Sequence, residues 1–497
     1  MSPSLFLSVF GLYVLGMIIL SIWISRRQKS GEDFLLGNRK VPFFLILGTT
    51  VATMVGTGSS MGAVGYGYEN GWAGSMYGIG GALGILILGG CFSSARKHNF
   101  ITFSEEISFY YGANKTVKGV IGVLILIASI GWLGAHILGG GKYLAYMADI
   151  PIVHAKITMA LAFGVYVIIG GYMSVVWTDT IQAVILFFGF ILMAGIALIK
   201  MGGLDGLNAP IVIDGVQHSV NHFEFLSKGK LLPSISLAFV ILVGVVATPS
   251  YRQRIYSADS IATVKRSFYL SGVLYLFFSL IPALIGITAQ RLNPQLENID
   301  FAFPSLAVAV LPTFVCLIVL IAGLSATMSS ASSDAIAGVS VLLRDIYILI
   351  TGRMPSRERM VALSRWGLVV ITVLALVFTL NSDGIISYIK NMISLVMSGM
   401  FVCALMGKFW SRATWQGALA ALAGGAGASL VVMTNEGLNA FWGNPSIPAV
   451  LSATVAGVAV SLMTPRNAVT DEEALEILSA ERQLMEMQPE INTDTPK

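Results

Sequence analysis

The stretch SATMSSASSDAIAG, Ser325 to Gly338, places serines, a threonine and an aspartate shortly after VCLIVLIAG, a run suited to a lipid bilayer. Hydrocarbon offers no hydrogen-bond partner, so hydroxyls at that depth must face other helices, water or a bound cation. A segment apolar enough to span and polar along its interior belongs to a bundle of transmembrane helices. The chain as a whole agrees, because its 497 residues are 55% hydrophobic and 11% charged, against roughly a quarter charged in soluble domains.

Working outward, apolar runs of about twenty residues recur as far as Pro465, and about thirteen can be counted, each near the length that crosses a bilayer as a helix. They fall at 4–25, 42–66, 72–93, 118–146, 154–171, 177–200, 233–252, 267–289, 308–340, 360–380, 384–408, 413–434 and 446–464. The first has no basic stretch before it and no small-residue cleavage site after it, so it reads as a retained span. Cys91, Cys316 and Cys403 all lie in apolar runs without metal or redox spacing and read as buried small hydrophobes.

Basic residues near span ends stay on the cytoplasmic side. Arg26, Arg27, Lys29, Arg39 and Lys40 follow the first span, and Arg96, Lys97, Lys115 and Lys118 the third. Arg252, Arg254, Lys265 and Arg266 follow the seventh, Arg344, Arg353, Arg357 and Arg359 the ninth, and Lys408 and Arg412 the eleventh. Connections such as Tyr68–Gly71 and Asn381–Gly384 carry almost none. This alternation predicts an external N-terminus and a cytoplasmic C-terminus, in a plasma membrane of the bacterial inner-membrane kind.

The long connection 201–232 holds Asp205, Asp214, His218, His222 and Glu224, and its polarity fits a surface loop. After Pro465, VTDEEALEILSAERQLMEMQ has acids at its start and apolar residues at helical spacing, which predicts a short amphipathic cytoplasmic helix, either docked or simply solvated. A tail this brief is expected to hold no kinase or nucleotide-binding domain.

The second span contains TMVGTGSSMG, Thr53 to Gly62, with three glycines, two threonines and two serines where a straight span would carry Leu or Ile. Each helical glycine costs about 1 kcal/mol relative to alanine. The run reads either as an interrupted helix whose freed carbonyls replace the water shell of a cation, or as close helix packing at Gly56, Gly58 and Gly62. In the ninth span Ala326, Ser329 and Ser330 share one helix face. Neutral oxygens suit a monovalent ion that must leave again, which points to sodium; the competing reading is serines bonded to their own or neighbouring helices.

Several motifs together resemble the sodium/solute symporter family. They are AlaThrMetSerSerAlaSerSer at 326–333 with Arg344-Asp345-Ile346-Tyr347 after it, GGYMSVVWTDTIQ at 170–182, Pro249 with Gln253-Arg254-Ile255-Tyr256, and GKFWSRATWQGA at 407–418. The resemblance covers nearly the whole chain. It implies an all-α polytopic fold with a LeuT-type 5+5 inverted-repeat core and broken helices. The expected organisation is an extra span with a basic loop at 1–40, a first repeat at 41–200, an external loop at 201–232, a second repeat at 233–408, two further spans at 409–464 and a tail at 465–497.

The resemblance further implies sodium as the coupling ion, bound at a main site by the carbonyls of Ala52, Val55 and Ala326 and the hydroxyls of Ser329 and Ser330. A second sodium site would fall on Asp179, Ser332 and Ser333, unless Asp179 only charges a helix turn. Candidate solute contacts are Thr53, Met54, Ser59, Ile241 and Lys390. Met54 stands where proline-transporting members carry aspartate, so neither amine nor sugar recognition follows. Lys390 would suit a carboxylate or other organic anion if it faces the solute, and otherwise snorkels to the interface.

The expected activity is sodium-driven import of a small organic solute by alternating access, for which a monomer suffices. The alternative is a solute-sensing receptor acting through a separate partner. An enzyme is not expected, because no paired carboxylates, metal-spaced histidines or nucleophile–base pair stands at membrane depth, and His136, alone on its span, reads as a packed or hydrogen-bonded histidine.

Overall fold

The computed structural model describes residues 2–26, 31–207, 209–213, 216–218, 221–355, 357–380, 382 and 384–487. Arg27, Lys29, Asp214 and Asn381, used above, lie outside the described residues, as does the side chain of His218. Among the described residues, ten helices are long and apolar enough to cross a membrane, or eleven if one pair bent by 44° counts as a span. Two of them account for the difference from the about thirteen sequence segments. Gly58–His98 runs 41 residues and Ile152–Lys200 runs 49. At 1.5 Å per residue these are about 60 and 75 Å of helix, twice the roughly 30 Å hydrocarbon core.

In chain order the helices used below are α1 (Pro3–Ser25), α2 (Phe43–Met54), α3 (Ala63–Asn70), α4 (Ser75–Ile87), α5 (Lys115–Ala148) and α6 (Ile152–Lys200). They continue with α7 (Leu231–Ala247), α8 (Pro249–Ser257), α9 (Ile261–Phe278), α10 (Leu280–Leu292) and α11 (Thr313–Val341). The last are α12 (Arg357–Thr379), α13 (Ile385–Met392), α14 (Ser398–Phe409), α15 (Trp415–Thr434), α16 (Ser446–Met463) and α17 (Asp471–Met487). The fold is nearly all-helical. Among the described residues it departs from the all-α expectation at a small antiparallel hairpin, Ile211–Ile213 with Val216–His218, in the loop between α6 and α7, and at a single bridge between Val41 and Ala258.

At the centre stands α11, in which every residue from Val319 to Val341 is buried. A helix covered on all sides is a core helix, which is why its serines must find partners inside the protein. It packs on α5, α6 and α2, while α15 and α16 pack on each other at the periphery. The glycine-rich run does break its span: α2 stops at Met54, Val55 takes φ −88° and ψ 56°, and a wide helical turn resumes at Gly58. The resemblance implied broken helices but the sequence reading located only this one; a second lies where α7 and α8 meet at Thr248 with an extended backbone of ψ 126°. Proline at 249 has no N–H to donate back to α7, which ends the helix there.

In α6, Gly171 sits at φ 57° and ψ −161°, a backbone that glycine alone adopts without strain, so the 49-residue run turns sharply there and is two helical segments joined at a kink. The two broken regions are tied together at their ends, where Val41 N–H donates to Ser257 O at 3.1 Å and Asp259 N–H donates to Val41 O at 3.1 Å. The tail helix α17 docks by burying Ala474 and Leu478, while Arg482 reaches Glu105 at 2.7 Å. Thr470 and Glu473 cap its start reciprocally, N–H to carboxylate at 2.8 Å and N–H to hydroxyl at 3.3 Å. The Thr470 N–H, and after it the Thr470 hydroxyl, donate to the exposed Glu473 carboxylate and hold its pKa below the ordinary value.

Candidate functional site

The break after α2 leaves the carbonyls of its last turn without helical N–H partners. Two serines of α11 face them. Ser329 Oγ lies 3.1 Å from Ala52 O and 3.2 Å from Ala326 O. Ser330 Oγ lies 3.1 Å from Thr53 O, 3.4 Å from Ala326 O and 3.5 Å from Ala52 O. Each hydroxyl carries one proton. Two protons among three carbonyls leave lone pairs in excess, and the cluster holds no carboxylate. Such a set of neutral oxygens is complementary to a small monovalent cation. Of the five residues expected here the structure brings together Ala52, Ala326, Ser329 and Ser330. Val55 stands at the break itself, and the Thr53 carbonyl, which sequence reasoning did not name, lies within the hydroxyls' reach.

Next to it, Asp179 of α6 gathers the second expected set. Its Oδ2 accepts from Thr49 Oγ1 at 2.6 Å and Ser333 Oγ at 2.8 Å, and its Oδ1 accepts from Ser332 Oγ at 3.2 Å. The cluster therefore forms, and Asp179 is more than a helix-turn charge. Its cation is already present. Arg254 of α8, buried to 1%, places Nη2 3.3 Å from Asp179 Oδ2, 2.6 Å from Ser333 Oγ, 2.7 Å from Thr49 Oγ1 and 2.5 Å from Thr53 Oγ1. Its Nη1 donates to Ser250 O at 2.7 Å. The oxygens expected to hold a second sodium thus surround a guanidinium, and Arg254, read from the sequence as a basic residue at a span end, is buried. Arg252 is likewise buried, paired with Glu106 at 2.8 Å, with its guanidinium 3.8 Å from the centre of the Phe92 ring. The bend before Pro249 is what turns both arginines inward.

On the opposite side of the α2 break lies a small cavity of about 30 Å³, lined by side chains of α5, α7, α9 and α11 as well as of the break. Thr53, Met54, Ser59 and Ile241, four of the five expected solute contacts, line it. Ser59 also caps the broken helix, donating to Met54 O at 2.7 Å. Lys390 is not among its lining residues; its Nζ donates to Gly443 O at 3.3 Å, on the connection before α16. The carboxylate reading that rested on it therefore loses its anchor. His136 is packed and hydrogen-bonded, as expected: its Nε2 lies 3.1 Å from Asp334 Oδ2 and its Nδ1 3.0 Å from Thr57 Oγ1. A larger hollow of about 580 Å³ beside α12 and α13 is lined by no charged side chain.

Two broken helices crossing a fully buried serine helix, with a neutral oxygen cage and an adjoining cavity at the breaks, define a membrane-embedded secondary transporter. Residues 34–425 match the sodium:solute symporter family, and the chain belongs to that family. It is 24% identical to the sodium/pantothenate symporter of Haemophilus influenzae, covering 90% of this chain and 94% of that one. It is 27% identical to the sodium/glucose cotransporter of Vibrio parahaemolyticus, covering 83% and 82%, and 26% identical to the sodium/proline symporter of Escherichia coli, covering 84% and 86%. Among solved structures, a Na+-coupled sialic acid symporter in a substrate-bound outward-open state superposes with a TM-score of 0.77 at 20% identity, over 93% of this chain and 98% of that one. The phenylalanine complex of MhsT gives 0.56 at 15% identity, over 84% and 98%. The family is one of transporters, so the chain is a sodium-coupled solute carrier and not an enzyme.

Proposed function

We propose that this protein imports a small organic solute by alternating access with one sodium ion bound between Ala52, Thr53, Ala326, Ser329 and Ser330, with Val55 completing the cage from the break. The observation that carries this is the excess of carbonyl lone pairs over hydroxyl protons where α2 stops against α11. Sodium bound there would hold the broken α2 against α11 and shape the adjoining cavity, so that loss of the ion on the inner side releases the solute. Arg254 takes the place of a second ion at Asp179, Ser332 and Ser333. The two repeats run over 41–200 and 233–408 about these breaks, in a bacterial inner membrane, with the N-terminus outside and the tail helix in the cytoplasm.

The test is uptake into proteoliposomes under an imposed inward sodium gradient, with potassium as the replacement ion. Accumulation should require sodium and should be lost in a Ser329→Ala/Ser330→Ala variant. Accumulation that persists in potassium, or in that variant, removes sodium coupling at this cage.

A further inference from the structure

The reading above leaves open what chemistry the cavity recognises, and Asp334 speaks to it. Asp334 lies one turn beyond Ser330 on α11, buried to 2%, and lines the cavity. Its Oδ2 faces His136 at 3.1 Å, while its Oδ1 is buried with no hydrogen-bond partner. A carboxylate oxygen buried without a partner costs several kcal/mol if nothing ever reaches it, so such atoms persist where a ligand supplies the missing group. The remaining walls suit a cation. Tyr77, Trp132, Tyr251 and Tyr275 contribute aromatic surface, and no lysine or arginine lines the cavity. Aromatic faces attract a cationic nitrogen through their quadrupole, most strongly when water is excluded. The other fully buried polar side-chain atom without a partner among the lining residues is Trp132 Nε1, a donor that would meet an acceptor oxygen on the same solute.

We infer that the cavity between the α2 break, α5, α7, α9 and α11, closed here to about 30 Å³ and widening at the helix breaks as the carrier cycles, binds a small organic cation, with Asp334 Oδ1 as counter-ion to its nitrogen and Trp132 Nε1 as donor to an oxygen it carries. This rests on the proposed symport and specifies the cargo of the same site. It replaces the organic-anion expectation, since among the described residues the one carboxylate or ammonium side chain lining this cavity is Asp334. His136 acts as a positioning residue: by holding Oδ2, it turns Oδ1 toward the solute.

The experiment is a thermal-shift and competition series on the purified full chain in sodium and in potassium. The probes are ethanolamine and choline, with 3,3-dimethylbutan-1-ol as the neutral carbon isostere of choline. In sodium, at least one cation should stabilise the protein and the neutral isostere should not. Asp334→Asn should lower the affinity for that cation by roughly tenfold or more, while keeping the sodium-induced shift. His136→Gln, which can still donate to Oδ2, should retain more cation affinity than His136→Ala. Equal stabilisation by the neutral isostere, an unchanged affinity in Asp334→Asn, or no response to either cation in a protein that does respond to sodium, overturns the inference. Absence of any sodium response in the unaltered protein instead overturns the symport reading. The cation against isostere comparison needs no variant, so a poorly folding Asp334→Asn leaves it decisive.

Discussion

Replacing Arg254 by Met tests whether an internal guanidinium does the work of a second ion. The substitution keeps a long stem and removes every contact of Nη1 and Nη2, including those to Asp179, Ser333, Thr49 and Thr53. It leaves Asp179, fully buried, with hydroxyl donors and no cation. Breaking a buried ion pair by removing one partner costs about 3–5 kcal/mol. A sodium ion entering the vacated cage would return about 2.7 kcal/mol at a hundredfold excess over its dissociation constant. Arg254→Met should therefore be markedly less stable in potassium chloride and recover most of that loss in sodium chloride. In uptake, the Hill coefficient for sodium should rise from about one toward two, since coupled sites bound by one state titrate together. The assay is thermal unfolding in matched sodium and potassium, followed by initial uptake rates across a sodium series. Asp179→Asn/Arg254→Met, which removes both charges, should lose the added sodium response. An Arg254→Met protein with unaltered stability and sodium dependence would refute the reasoning. So would an unmodified protein with a sodium Hill coefficient near two that Asp179→Asn alone reduces to one.

Lys390→Gln should leave solute preference and affinity unchanged, because the lysine meets Gly443 O and not the cavity; a shifted preference in the uptake competition assay would return it to the solute site. Arg482→Ala should lower stability by under about 1 kcal/mol, since its contact with Glu105 is partly exposed. Thermal unfolding measures that directly, and a larger loss would show α17 to be an integral support of the cytoplasmic side.

How far the sequence carried depends on whether a feature is local. Ala326, Ser329 and Ser330 were legible because helical spacing alone puts them on one face. The break in α2 was legible because three glycines in ten residues disfavour a helix. That the Thr53 carbonyl joins the cage was not, because every residue has a carbonyl and only the dihedral angles at the break decide which ones are left unpaired. Arg254 counted toward topology because charge statistics see position along the chain and not the inward turn at Thr248. Pro249 was the available signal, together with Asp179, a carboxylate that needs a cation at depth. Asp334 was quoted within the serine stretch and given no role, since its partner His136 lies 198 residues away and only tertiary packing joins them.

The ion cage and the cavity share their wall. Ala52 and Thr53 present carbonyls to Ser329 and Ser330, while the Thr53 side chain, Met54 and Gly56 line the cavity on the other side. Gly56 stands between the two: a Cβ there would lie 2.5 Å from Ser330 Oγ and 3.1 Å from His136 Cε1. Gly56→Ala therefore pushes the sodium-facing hydroxyl and the residue that positions Asp334 at once. Overpacking of this kind costs about 1–3 kcal/mol, about 5- to 150-fold in a binding constant. Because the strain falls on both sites, sodium and solute affinities should drop together, each measured by thermal shift with the other absent. Linkage then imposes a stricter condition: the factor by which sodium raises solute affinity must equal the factor by which solute raises sodium affinity, in the variant as in the unaltered protein. A Gly56→Ala protein with intact sodium affinity and weakened solute binding would show that the wall transmits nothing, and that the two sites are coupled elsewhere in the bundle.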